Sequence, residues 1–133
     1  MTEVNEITRV TVDAAYGIHR RLGPGLLENV YEALLAQALE KRGLGIRRQV
    51  AIPFEYDGLR FEDGLRVDLL VGGLVVVELK SVEKLAPVHR KQVLTYLRVL
   101  DLPVGLLINF GAPTFKEGIR RVANTYAPPL PPL

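Results

Sequence analysis

Apolar residues recur at helical spacing twice near the start of the chain. Ile7, Val10, Ala14, Ile18 and Leu22 fall on one face of a helix expected from about Glu3 to Leu22. Gly23-Pro24-Gly25 breaks it. Val30, Leu34, Leu35, Ala38 and Leu39 form the stripe of a second helix, Leu26 to Arg42, which Gly43 closes. The pattern then changes to alternation. Ile46 to Tyr56 reads as a strand, and Asp57-Gly58 turns it into a short strand, Leu59 to Glu62. Asp63-Gly64 leads into two apolar runs around Gly72-Gly73. Pro87 suits the first turn of a third helix reaching about Leu100, and Pro103 prevents its continuation. Val104 to Phe110 reads as a buried strand, and a short helix is expected around Lys116 to Ala123. The order α-α-β-β-β-β-α-β-(α) predicts a mixed α/β (α+β) domain over residues 1–126, with a central mixed sheet of about four to five strands flanked by helices. Residues 127–133 are proline-rich and read as an extended tail.

The central hairpin is where the pattern conflicts with itself. Leu74 to Val77 is apolar enough for a strand covered on both faces, yet Asp68 interrupts the preceding strand, and Glu78 and Lys80 close the second. Side chains two apart on a strand share a face, roughly 7 Å apart. Charged groups there must be paired, bind an ion or line a cleft. Register decides which acids meet. A two-residue Gly72-Gly73 loop sets Asp68 opposite Val77, whereas a three-residue loop, Gly72-Gly73-Leu74, brings Asp68 opposite Glu78.

Composition narrows the chemistry. The chain has 133 residues, 48% of them hydrophobic, and a formal charge of only +2, which gives weak support for a polyanion partner. Without cysteine there can be no disulfide, zinc thiolate site or iron–sulfur cluster. His19 and His89 are the only histidines, which makes a zinc site a poor reading. Ser81 is the only serine and lies in no nucleophile-elbow pattern, so a serine–histidine hydrolase is poorly supported. No apolar stretch is long enough to span a membrane, and Met1 to Glu6 lacks a signal-peptide pattern; a soluble cytoplasmic protein is expected.

An acid on one strand followed by Glu-x-Lys on the next suits phosphodiester cleavage assisted by a hard divalent ion. Mg²⁺ takes oxygen ligands, usually with only one or two protein carboxylates. Asp68 and Glu78 supply these, the Leu79 carbonyl offers a third oxygen, and Lys80 is placed to stabilise developing negative charge. The competing reading is a partly exposed salt bridge at the strand ends, and from these residues alone it is the better one. On the third helix, His89, Gln92 and Tyr96 are spaced i, i+3, i+7 and share a face beside the core-facing Val93, Leu97 and Leu100. That stripe suits the wall of a site, with Gln92 able to orient water or a phosphate oxygen. Ordinary boundary placement remains the alternative, and for His89 the better one.

Asp68, Glu78-Leu79-Lys80 and Gln92-Val93-Leu94-Thr95-Tyr96 together resemble the PD-(D/E)xK nuclease superfamily, in particular its exonuclease-like branch with a Gln-x-x-x-Tyr motif. Gly25-Leu26-Leu27-Glu28-Asn29-Val30-Tyr31 is similar to the signature that names the GxxExxY proteins within it. The resemblance runs from the first helix to about Val122. It implies a restriction-endonuclease-like core and metal ligation by Asp68 and Glu78. It also implies a catalytic role for Lys80, a helix-borne acid in Glu28 at the metal edge, and support from Gln92 and Tyr96. The first acid follows Val67 where the superfamily often has proline. The expected activity is a Mg²⁺- or Mn²⁺-dependent nuclease, with DNA favoured over RNA. Arg66, Arg90 and Lys91 are candidates for the phosphate backbone, in largely sequence-independent contacts. Few aromatics interleave with them, so base stacking is not indicated. The alternatives are a catalytically weak or inactive nuclease-fold module for nucleic-acid or protein binding, and an assembly component such as a homodimer.

Overall fold

The structure is a computed structural model and describes residues 2–125; the proline-rich tail expected over 127–133 lies outside the described residues. Its elements are α1 (Thr2–Leu22), α2 (Glu28–Lys41), β1 (Ile46–Tyr56), β2 (Leu59–Val71), β3 (Val75–Lys80), α3 (Pro87–Leu100), β4 (Val104–Asn109), α4 (Phe115–Gly118) and β5 (Ile119–Ala123). The five strands form one sheet in the order β1-β2-β3-β4-β5. β3 and β4 run parallel, joined by α3, and every other neighbouring pair is antiparallel. This is the mixed sheet flanked by helices that a restriction-endonuclease-like fold requires.

Strand alternation sorts the sheet's side chains between two apolar layers. Val75, Val77 and Leu79 of β3 pack with Leu106 and Ile108 of β4 against α1 and α2. Val76 and Leu107 point the other way, against Val93, Tyr96 and Leu97 of α3. With both faces covered, β3 and β4 can be almost wholly apolar. Glu78 and Lys80 share the parity of Val76, so they emerge on the α3 face.

The buried face of α2 is rotated from the expected stripe. Tyr31, Glu32, Leu35, Ala36 and Leu39 are buried, while Val30 is exposed. On α1, Val4, Ala15 and His19 are buried and Leu22 is exposed. His19 is held by a hydrogen bond between Nε2 and the Ala112 carbonyl, 2.8 Å.

Two element assignments are corrected. β2 is one strand of 13 residues and does not end at Glu62. The register moves from Ile52↔Leu65 to Phe54↔Phe61, so Asp63-Gly64 sits in a bulge and not in a turn. Glycine is required there because a Cβ at position 64 would come within 2.8 Å of the Phe54 Cβ. The helix expected around 116–123 is a single turn. The Thr114 hydroxyl accepts from the Glu117 N–H at 3.3 Å, and Ile119 to Ala123 then pair with β4.

Candidate active site

The hairpin between β2 and β3 has the three-residue loop. Val71 pairs with Val75 and Leu69 with Val77, which leaves Gly72, Gly73 and Leu74 as the connection and sets Asp68 opposite Glu78. Both glycines of the loop have positive φ, +60° and +69°, a conformation that glycine adopts without strain. Beyond Leu69 the strands separate and side chains take over from the ladder. The Asp68 N–H donates to Glu78 Oε1 at 3.1 Å, and the Leu79 N–H donates to Asp68 Oδ2 at 2.8 Å.

These bonds aim the backbone as well as the acids. A strand residue directs its N–H and C=O to the same edge. The Leu79 carbonyl therefore lies on the Asp68 side, while the Leu79 side chain is buried against α1 and α2. Lys80 alternates: its carbonyl accepts from the Phe110 N–H at 2.9 Å, on the β4 side.

Glu28 reaches the same place from α2, through a loop that accounts for the Gly-x-x-Glu-x-x-Tyr spacing. Gly25 has φ +119°, which side-chain-bearing residues rarely adopt. Tyr31 is fully buried and stacks on Phe110 with centroids 4.5 Å apart. Its hydroxyl donates to the Gly23 carbonyl at 2.5 Å and accepts from the Leu26 N–H at 3.2 Å. The Ser81 hydroxyl donates to the Leu26 carbonyl at 2.7 Å, tying this loop to the end of β3. Glycine shapes the turn, tyrosine clamps it, and the glutamate opens α2 beside Lys80.

The end of β3 is fixed from the opposite side by Asn109, which is itself buried. Its Oδ1 accepts from the Val82 and Gly111 N–H groups, each at 3.0 Å, and its Nδ2 donates to the Val82 carbonyl at 2.9 Å. Gly111 must be glycine, since a Cβ there would lie 2.3 Å from the Val82 oxygen.

The result is an open cleft of about 450 Å³ walled by Glu28, Asp68, Glu78, Lys80, Gln92 and Tyr96, together with Gln49 and residues 63–66 of β2. Arg66 is on its rim, paired with Asp63 and donating to the Gln49 carbonyl at 3.4 Å. Arg90 and Lys91 are exposed on the first turns of α3, outside the cleft wall. His89 does not belong to the site wall that its spacing suggested. Its Nδ1 accepts the Ala86 N–H at 3.0 Å, because a polar side chain in the first turn of a helix can satisfy a free backbone donor.

The cleft is electrostatically crowded. Glu78 is only 3% exposed. Burial first, and the Asp68 carboxylate second, push its pKa up to about 8 against the pull of Lys80. Burial also raises Glu28; Lys80 opposes this, and Asp68 and Glu32 add to it. Tyr96 is pushed up to about 12 by burial and by the negative charge of Glu78 and Asp68. Among the described residues no ion pair closes on Glu28, Asp68, Glu78 or Lys80. The salt-bridge reading of these residues therefore has no contact to rest on.

This donor set fits a hard divalent cation. Two adjacent carboxyl groups and one carbonyl are all-oxygen, and among the described residues no ion pair closes on them. The described residues hold no cluster of three His, Cys, Asp or Glu side chains placed to bind a metal. Mg²⁺ asks for only one or two carboxylates, so the smaller set suffices.

A family model described as the PD-(D/E)XK nuclease superfamily matches residues 5–122. The chain belongs to this superfamily. No curated protein and no solved structure matches the chain. Membership in the PD-(D/E)XK superfamily implies a nuclease domain that binds nucleic acid, and it agrees with the mixed five-stranded sheet. No helix of the described residues is long and apolar enough to cross a membrane.

Three residues around this cleft were not singled out from the sequence: Glu32, Gln49 and Asn109. Glu32 lies one helical turn after Glu28, which is a usable spacing signal. Asn109 ends an apolar strand, where a buried amide needs partners. For Gln49 nothing in the local sequence marks a role.

Proposed function

We propose that the cleft is the active centre of a Mg²⁺- or Mn²⁺-dependent nuclease of the GxxExxY group, hydrolysing phosphodiester bonds in nucleic acid, DNA ahead of RNA. One observation carries this reading: Asp68 and Glu78 are held side by side without a cation in contact, on the sheet face from which Lys80 also emerges. A structural salt bridge would spend that charge. A site for a dication leaves it unspent.

Asp68, Glu78 and the Leu79 carbonyl would hold the ion. When bound, it supplies Lewis-acid polarisation of a phosphoryl oxygen and neutralises phosphate charge. Lys80 donates to the oxygen on which negative charge grows, and its value is greatest where water is excluded. Glu28, its pKa raised by burial, lines the cleft with Lys80 as the group able to take or return a proton. Gln92 offers an amide to orient water or a phosphate oxygen, and Tyr96 keeps its phenol proton and remains a donor. Arg66, Arg90 and Lys91 supply positive charge at the rim and on the exposed turns of α3 for a backbone running past the cleft.

The test is cleavage of single-stranded, duplex and branched DNA and RNA with Mn²⁺, by wild type and by Asp68→Asn. Metal-dependent cleavage that Asp68→Asn abolishes is the expected result. Cleavage by neither protein, with nucleic acid still bound in a salt-dependent gel shift, would replace this reading with that of a binding module.

A further inference from the structure

Gln49 does three unusual things at once. It is a non-glycine residue with φ +50°, in the left-handed region, where a side chain costs free energy. Its Nε2 donates to Asp68 Oδ1 at 3.1 Å and to Glu32 Oε1 at 2.5 Å. Its own carbonyl accepts from Arg66. Glu32 is not a loose anchor: it is 5% exposed, and its other oxygen is held by the Arg48 guanidinium at 3.0 Å.

We propose that Gln49 is a positioning residue for Asp68, holding that carboxylate against the buried Glu32, itself paired with the half-exposed Arg48, so that it faces the cation shared with Glu78. The proposal rests on the metal-dependent reading above. The reason for strain at this position follows from the network. In an extended strand, consecutive side chains leave on opposite faces. Arg48 and Gln49 nevertheless both reach Glu32, and Gln49 reaches Asp68 as well. The left-handed backbone at Gln49 is what lets neighbouring residues converge. With Leu79 N–H on Oδ2 and the Gln49 amide on Oδ1, both oxygens of Asp68 are directed by donors from the strands on either side. A ligand fixed in this way loses less rotamer freedom when the ion arrives, and such supporting partners are typically worth about 10–100-fold in metal affinity.

Gly and Asn both tolerate positive φ, so Gln49→Gly and Gln49→Asn remove the reach of the amide without opposing the backbone. Mn²⁺ binding is measured by calorimetry on wild type, both variants and Asp68→Asn, alongside thermal melts in chelator. Both Gln49 variants should bind Mn²⁺ at least tenfold more weakly while melting within a few degrees of wild type. The Mn²⁺ concentration for half-maximal cleavage should rise in step, with the rate at saturating Mn²⁺ changed far less. Affinity within twofold of wild type in both variants, where wild-type binding depends on Asp68, would overturn the role of Gln49 alone. Wild-type protein that takes up no Mn²⁺, or takes it up equally after Asp68→Asn, would overturn the metal reading and this proposal with it.

Discussion

The backbone N–H of Asp68 donates to the carboxylate of Glu78, 3.1 Å away. One acid is thus gripped by the main chain of the residue that carries the other. The contact holds the two carboxyl groups side by side and makes their spacing a property of the strands.

Crowding should appear as a pH dependence of stability. With its pKa raised to about 8, Glu78 binds a proton in the folded protein between its ordinary range near 4.5 and that value, while the unfolded chain has released it. The metal-free protein must then lose stability as pH rises through this window, by an amount on the order of a few kcal/mol. Glu78→Gln keeps an acceptor for the Asp68 N–H and removes the charge. Urea melts in chelator at pH 5.5 and pH 8.5 should show the loss in wild type and little of it in the variant. Equal slopes in the two proteins would mean that Glu78 is not the group responsible.

Metal uptake should release a proton below pH 8. The ion needs Glu78 ionised, so affinity should increase with pH and level off above about 8. Calorimetry at pH 7 in two buffers of different ionisation enthalpy measures the released proton directly, and buffer-independent heats would contradict the expectation.

In the proposed role, where its ammonium meets charge that develops only during reaction, Lys80→Ala should leave Mn²⁺ affinity close to wild type and lower the cleavage rate on the order of 10²-fold or more. Single-turnover cleavage at saturating Mn²⁺ separates the two effects. An unchanged rate would return Lys80 to ordinary surface charge.

Asn109→Ala removes three hydrogen bonds from the Val82 and Gly111 backbone in a buried setting. A cost of roughly 2–4 kcal/mol follows from leaving those groups unsatisfied. Chemical denaturation provides the measurement. A loss under about 0.5 kcal/mol would show that water replaces the amide at little cost.

Much of the architecture was legible because its signals are local. Pro87 opens α3, and β1 runs from Ile46 to the Asp57-Gly58 turn, as the sequence suggested. Gly72-Gly73 made the hairpin legible, and the convergence of Asp68 with Glu78 depended only on which of two loop lengths it took. The misses have non-local causes. Ile119 to Ala123 is a strand because β4 offers an edge, which five residues cannot announce by themselves. Asp63-Gly64 resembled a turn because bulges and turns use the same glycine chemistry. The α2 stripe was misplaced because Tyr31 is buried for its clamp on the preceding loop, while Glu32 is buried for its bonds to Arg48 and Gln49. Those last partners lie 16 and 17 residues away, beyond any periodicity argument.

The long β1–β2 hairpin also sets where the molecule should yield first. β3 pairs with β2 only as far as Leu69, so Leu59 to Val67 has β1 as its single strand neighbour. Tyr56, Leu59 and Phe61 at its far end remain 52%, 65% and 50% exposed. A two-stranded ribbon with so little burial opens at a lower free energy than the sheet it grows from. Amide hydrogen exchange should therefore be graded along β2, fast toward Leu59 and slow at Leu69. The gradient crosses the cleft itself, since residues 63–66 form one wall and Asp68 and Glu78 stand at its root. Flexing of this ribbon would then change the width of the cleft from one side, while Asp68 and Glu78 stay tied to each other at its root.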